Sequence, residues 1–417
     1  MTGVVHDSWV PGYVCPEAAA TASEHAKVDH FRGLAASGRT VVAGLAVALT
    51  LPFASAAAAA PGAVRGAATA PGFTLSVVHE FPQALSETPK YLALSKDGNL
   101  YGATSAVGSS NGTVFRLSGG SAYTTIATFD YGRDGGPFGA PFLGTGGSLY
   151  GMTFDGGPGG IGSIYKITPG GTIKTLLVFT GINGMYPTAL VQTPDGTLYG
   201  TTYYGGSHGD GNAYRLSPGG TFTNIVSCTL KSCLYPISVV IGADGNVYGI
   251  SEGDKQGFGN NGQLFAITPK FHTEVNFNTP NADRPWNLEP GSNGSLYGLT
   301  QDFYTYRSHF FRFTPPGTLK FLGTYHFPGS GSFGPQIQAP DGNFYGTLMG
   351  DVHHPGWVYQ LTPAGAFRIV ATFNGRNGAG PDELALGADG SLYGTTESGG
   401  GTGGGVIFRL TLPRRTP

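Results

Sequence analysis

The chain has 417 residues, 71 of them Gly and 29 Pro, with 12% aromatic and only 12% charged side chains. That composition excludes a disordered chain, which would be poorer in aromatics, and fits many short strands joined by tight turns. A formal net charge of −2 and a pI near 6.5 supply no broad attraction to phosphate backbones or anionic membranes, which argues against nucleic acid as a partner.

Residues 1–60 read as an export leader. Arg32 and Arg39 precede the apolar run VVAGLAVALTLPF, and the small-residue stretch ASAAAAAP follows it, giving a cleavage zone near Ala54 to Ala60. Asp7, Glu17, Glu24 and Asp29 lie upstream of the run, so a true start downstream of Met1 is expected. Left uncleaved, residues 41–60 are long enough, at ~20 apolar positions, to anchor the chain in a membrane. Either way the remainder is expected to be secreted or periplasmic. Residues 61–72 read as a linker, and residues 412–417 as a short tail. Cys15 belongs to the leader, which leaves Cys228 and Cys233. In an oxidising compartment that pair predicts a disulfide across a short loop; the rival reading, a metal or redox C-x-x-x-x-C, lacks nearby partner ligands.

From residue 73 the chain repeats itself. Tyr101, Tyr150, Tyr199, Tyr248, Tyr297, Tyr345 and Tyr393 recur at intervals of 49 or 48 residues in segments such as DGNLYGA and DGSLYGT. Each unit reads as four short strands. In the third, YPTALVQT, TLYGTT, NAYRLS and TFTNIVS are separated by an Asp-Gly turn, a Gly-rich loop and the turn PGG. Pro89, Pro187, Pro236, Pro285 and Pro381 lie eight residues before each turn, where a strand opens and a missing N–H is tolerated. Seven such units predict an all-β fold, a single seven-bladed β-propeller over residues 73–411. The last unit lacks a fourth strand, while FTLSVVHEF at 73–81 matches one, so the N-terminal strand is expected to complete the last blade and leave no open edge.

The segments GTLYGTTYYGG at 196–206, GSLYGTTESGG at 391–401 and NGTVFRL at 111–117 resemble the GloVer tandem repeat of bacterial exported proteins. The resemblance covers about residues 73–411 and implies the repeat and export. It implies no catalytic motif and no cofactor.

Chemistry is therefore sought where the repeat is broken. In units one, two, three and seven the loop between the second and third strands is small and Gly-rich, whereas units four to six carry SEGDKQGFGNNG, QDFYTYRSH and LMGDVHHPG. These loops, with the adjoining NADRPW, nominate Glu252, Asp254, Arg284, Trp286, Tyr306, His353, His354 and Trp357 as ligand-binding residues. His309 and Trp357 hold a slot occupied elsewhere by Thr113, Ser163, Asn212, Gln263 and Val406. The leading expectation is a carbohydrate or protein ligand bound by aromatic stacking with Arg and Asp fixing orientation, the partner being a polysaccharide or an envelope protein and the chain a monomer. A second is an enzyme, a polysaccharide lyase acting by β-elimination or a hydrolase, with Tyr304 and His309 moving protons and Arg307 stabilising the developing anion. A third is a structural envelope protein. No metal-binding pattern is present. Two motifs are set aside: G-x-S-x-G at Gly108 to Gly112 lies in a loop without a strand-to-helix elbow, and GGGTGGG lacks the Lys and helix of a phosphate loop.

Overall fold

The computed structural model describes residues 9–10, 13–14, 69–83, 87–106, 112–157, 159–253, 261–268, 270–277, 284–301, 307–326, 334–350 and 354–413. The run expected to act as an export leader, with its expected cleavage zone, lies outside them. Among the described residues no helix is long and apolar enough to cross a membrane.

Seven antiparallel sheets follow one another along the chain as the blades of a propeller. Blade three is representative, with Met185–Gln192, Leu198–Tyr204, Asn212–Leu216 and Phe222–Ser227 paired in that order. Blade five differs, because its first strand is broken into Arg284–Pro285 and Glu289–Pro290, both paired with Leu296–Gln301. In blade seven the order is Ala379–Leu386, Leu392–Ser398, Gly403–Thr411 and then Thr74–Pro82, which pairs with Gly403–Thr411 from Thr74 opposite Thr411 to Pro82 opposite Gly403. The N-terminal strand therefore completes the last blade.

The repeated motif is explained residue by residue. Leu100, Leu149, Leu198, Val247, Leu296, Phe344 and Leu392 are buried at the start of each second strand. The motif tyrosine reaches back to the hairpin: the hydroxyls of Tyr101, Tyr248, Tyr345 and Tyr393 donate to Asp97, Asp244, Asp341 and Asp389 at 2.7–3.0 Å. The following Gly is demanded by space. A Cβ at Gly102 would collide with the Phe115 ring and the Tyr91 carbonyl, and one at Gly394 with the Phe408 ring.

Blades are joined by an aromatic placed just after the fourth strand of one blade, or at its end, and packed on the third strand of the next. Ring centroids are 6.0 Å apart for Phe81 and Phe115, 4.8 Å for Phe129 and Tyr165, 5.5 Å for Phe179 and Tyr214, 5.2 Å for Phe277 and Phe311, and 4.9 Å for Phe373 and Phe408. The N–H groups of Phe129, Phe179, Phe277 and Phe373 donate to Gly112, Gly162, Gly262 and Gly356 in their own blades at 2.9–3.1 Å. Burying each ring stabilises the blade boundary by roughly 2–3 kcal/mol. At the boundary of blades three and four the same backbone bond, to Gly211 at 2.8 Å, is made by Cys228, which is disulfide-bonded to Cys233.

Candidate functional site

The loops from second to third strands and from each fourth strand to the next blade share one face of the propeller. Two slots supply its side chains. One is the fourth residue after the motif tyrosine, filled by Phe154, Tyr203, Glu252, Gln301, Met349 and Glu397. The other is the residue before the strand-opening proline, filled by Tyr186, Tyr235, Arg284 and Gly380.

In blades three, four and seven the second slot takes an uncommon backbone, which Arg284 in blade five does not share. Tyr186, Tyr235 and Gly380 have φ of 57°, 55° and 65°. Proline biases its predecessor toward extended conformations, and a bulky side chain at positive φ is a genuine outlier. The conformation is held by backbone bonds to the preceding blade: Tyr186, Tyr235 and Gly380 donate to the carbonyls of Ile161, Asp210 and Pro355 at 2.9, 3.1 and 2.8 Å. Glycine meets this requirement without steric cost in blade seven. Blades three and four spend the strain on tyrosine, and the result is an aromatic arc.

Phe154 stacks on Tyr186 at 4.9 Å, Tyr186 meets Tyr204 edge-on at 6.2 Å, and Tyr204 meets Tyr235 edge-on at 5.3 Å. Tyr235 stacks on Tyr203 at 5.1 Å with 10° between the ring planes. Phe154, Tyr186, Tyr204 and Tyr235 are half-buried, and each is part-exposed to solvent. Beside the arc, Tyr131 donates to Asp155 at 3.1 Å. Burial, with the Asp155 charge adding to it, pushes the Tyr131 phenol up to about 12, and the same two causes in that order raise Tyr186. Burial also raises the Asp155 carboxyl.

The arc ends on charge. Tyr203 donates to Glu252 Oε2 at 2.6 Å, while Glu252 Oε1 lies 3.7 Å from Arg284 Nη1. Glu252 is 0% exposed, and its N–H donates to the Tyr235 carbonyl at 3.0 Å. Blades three, four and five are thereby tied together at one point. A second polar group sits where blade seven meets blade one: Lys90 Nζ is 3.1 Å from Glu397 Oε1. Burial raises the carboxyls of adjacent Asp382 and Glu383 above the ordinary range; Lys90 opposes the rise at Asp382, and the Asp382 charge adds to it at Glu383.

The expected site residues divide. Glu252 and Arg284 are brought together. His309 is 7% exposed; its Nδ1 is 2.9 Å from Thr324 Oγ1 on the outer strand and its ring meets Phe321 edge-on at 5.6 Å. Leu296–Gln301 lies between the strand of His309 and that of Arg284. Trp286 and Trp357 are each 8% exposed, so both rings mainly pack. His354 is exposed, with its ring 5.4 Å from that of Trp357. Arg307 is exposed at the start of its strand, opposite His326. Asp254, Tyr304, Tyr306 and His353 lie outside the described residues. Tyr186, Tyr203, Tyr204 and Tyr235 escaped the sequence reading, although the paired Tyr-Pro dipeptides at strand openings were a visible signal. Among the described residues no group of three His, Cys, Asp or Glu is placed to hold a metal ion.

A groove of about 500 Å³ opens at the other end of the strands, between blades three and four, lined by Tyr199, Arg215, Lys270 and Phe271. It shares no residue with the aromatic arc. We place the candidate site at the arc because strained backbone and a buried charge network converge there.

Known structures share the fold at low identity. A streptogramin B lyase structure aligns with a TM-score of 0.60 and 16% identity over 82% of this chain and 98% of that one. A catalytically inactive virginiamycin B lyase from Staphylococcus aureus with quinupristin gives 0.59 and 14% over 82% and 99%. The periplasmic gluconolactonase of Pseudomonas aeruginosa gives 0.50 and 16% over 79% and 99%. No curated protein matches. The profile of the Gloeobacter/Verrucomicrobia repeat matches residues 66–256, 140–336 and 291–416, and the chain belongs to that family.

Proposed function

We propose that this protein is an exported propeller that binds a carbohydrate across the face bearing the aromatic arc. The observation that carries the reading is the pair of tyrosines, Tyr186 and Tyr235, kept at positive φ where blade seven uses Gly380. Strain of this kind persists where a side chain is needed in one place. Part-exposed rings offer apolar faces to the C–H faces of sugars, and Glu252 with Arg284 supplies directional polar contacts at the end of the arc. The Cys228–Cys233 disulfide supports an oxidising compartment, and hence export.

A second reading, cleavage of the bound polysaccharide, is favoured by the Tyr203 to Glu252 contact of 2.6 Å with Arg284 beside it. There Glu252 would accept the phenolic proton of Tyr203, the phenolate oxygen would take the substrate proton, and the Arg284 guanidinium would neutralise the developing anion. His309, Arg307 and Tyr304 are the sequence-derived candidates for the same chemistry.

One experiment separates the readings. A panel of neutral and acidic polysaccharides is assayed for binding and for unsaturated or reducing-end products, with Tyr235→Ala, Glu252→Gln and His309→Ala as controls. Binding without products, lost in Tyr235→Ala, is the expected result. Products lost in Glu252→Gln would establish the enzyme, and no binding to any glycan would leave the envelope-structural role.

A further inference from the structure

The turn that delivers Tyr235 is built differently from its counterparts in other blades. Before Pro187 the chain reads Phe179, Thr180, Gly181, Ile182, Asn183, Gly184, Met185, Tyr186; before Pro381 it reads Phe373, Asn374, Gly375, Arg376, Asn377, Gly378, Ala379, Gly380. Both turns are clamped by an asparagine. Asn183 Oδ1 accepts from the Thr180 N–H at 2.8 Å and its Nδ2 donates to the Val178 carbonyl at 3.1 Å. Asn377 accepts from the Asn374 N–H at 2.7 Å and donates to the Thr372 carbonyl at 3.5 Å. Gly184 and Gly378, at φ of 112° and 111°, turn the chain toward the proline.

Before Pro236 the same eight positions hold Cys228, Thr229, Leu230, Lys231, Ser232, Cys233, Leu234 and Tyr235. The packing phenylalanine has become Cys228, the clamping asparagine Ser232 and the turning glycine Cys233, which adopts φ of 45° as a non-glycine residue. Ser232 reaches only Thr229, with the two hydroxyls 3.0 Å apart. The disulfide occupies the two slots vacated by Phe and Gly, and both sulfur-bearing residues are 0% exposed. Gln263 of the next blade completes the arrangement, accepting from the Cys233 N–H at 2.6 Å and donating to the Lys231 carbonyl at 3.1 Å.

We infer that the Cys228–Cys233 disulfide is the positioning element of the ligand face, shaping the turn from which the Tyr235 N–H reaches the Asp210 carbonyl and keeps its positive φ, so that the site assembles only once the disulfide is formed. The inference rests on the reading that the arc binds a glycan. Its reach extends beyond Tyr235, because the Tyr235 and Leu234 carbonyls accept from the Glu252 and Gly253 N–H groups at 3.0 and 3.1 Å. Releasing the turn therefore loosens the carboxylate that Tyr203 and Arg284 share. Tyr186 is bonded to the Ile161 carbonyl from a turn that Asn183 clamps, and is independent of the disulfide. Reduction by dithiothreitol breaks the sulfur–sulfur bond, leaves two cysteine thiols and converts the reagent to its cyclic disulfide.

The test uses the full chain in four forms: oxidised, reduced by dithiothreitol, Cys228→Ala with Cys233→Ala, and the triple variant Cys228→Phe, Ser232→Asn, Cys233→Gly, which transplants the asparagine-clamped turn. Amide hydrogen exchange of Tyr235, Glu252 and Gly253 reports the clamp whether or not a ligand binds, and glycan affinity reports the site. Reduction or the double variant is expected to speed exchange at those amides at least tenfold and to weaken binding at least tenfold, with Tyr186 unchanged. The triple variant is expected to restore both and to ignore dithiothreitol. Unchanged exchange in the reduced and double-variant proteins, or a triple variant that stays loose, overturns the inference. If the oxidised protein binds no glycan, the proposed function fails while exchange still decides the clamp.

Discussion

Replacing Tyr186 by Gly and by Ala tests whether the arc is held in place by strain. Both variants remove the ring, forfeiting its contacts with Phe154 at 4.9 Å and Tyr204 at 6.2 Å, each worth about 0.5–1.5 kcal/mol. They differ only in backbone. At φ of 57° an alanine keeps a steric penalty of roughly 1–2 kcal/mol, which glycine escapes at a cost of about 0.5–1 kcal/mol in unfolded-state entropy. Tyr186→Gly should therefore be more stable than Tyr186→Ala by about 1 kcal/mol, the reverse of the order expected within a strand. Gly380 supplies the reciprocal control. A Cβ there would lie 3.6 Å from that of Glu397, which is ordinary contact, so Gly380→Ala should lose about 1 kcal/mol through φ alone. Urea titrations at matched m-values measure the differences, and glycan affinity measured in parallel should fall about tenfold in both Tyr186 variants. An alanine variant as stable as the glycine one would refute the strain argument, and unchanged affinity would remove Tyr186 from the platform.

Burial pushes the Glu289 carboxyl up to about 8, against an opposing backbone hydrogen bond from Gln338. The unfolded chain releases this proton near pH 4.5 and the folded one near 8, so the folded state holds more protons in that window and stability falls as pH rises through it. Glu289→Gln should leave stability at pH 4 unchanged and raise it by roughly 4 kcal/mol at pH 8, read from denaturant curves at the two pH values. Arg284→Met strips the fully buried Glu252 of its cationic neighbour and should cost roughly 3 kcal/mol, with Glu252→Gln in the same background recovering most of it; additive losses would show that the pair is not coupled. Tyr101→Phe removes the 2.8 Å bond to Asp97 and should cost about 1 kcal/mol without changing glycan affinity, since this tyrosine belongs to the blade and not to the face.

The fold was legible because its signals are local and repeated. Turn residues, the strand-opening prolines and the motif tyrosine each recur with a physical reason, and FTLSVVHEF could be matched to the missing strand by pattern alone. Glu252 and Arg284 were also legible, as charged departures from a Gly-rich norm. The aromatic arc was not. Tyr186 and Tyr235 precede prolines that already explained themselves as strand openers, and nothing in a Tyr-Pro pair announces positive φ. That conformation follows from backbone bonds to Ile161 and Asp210, contacts between blades that a unit-by-unit reading does not contain. His309 shows the converse. It stands out in its slot, yet its ring is occupied by Thr324 and Phe321 of its own blade.

The strand Thr74–Pro82 is among the first parts of the propeller to be synthesised and the last to find its place. Its partner residues, such as Ile407 for His79, follow about 330 residues later, whereas neighbouring strands within blade three pair across about 15. Bringing such distant segments together costs roughly 3 kcal/mol more in chain entropy than a hairpin does. Until Gly403–Thr411 is in place, the first blade has no neighbour on one side and nothing holds Phe81 against Phe115. Ring closure thus waits for residues 403–411, and a chain that crosses a membrane unfolded can defer it to the far side without ever having to open a finished ring.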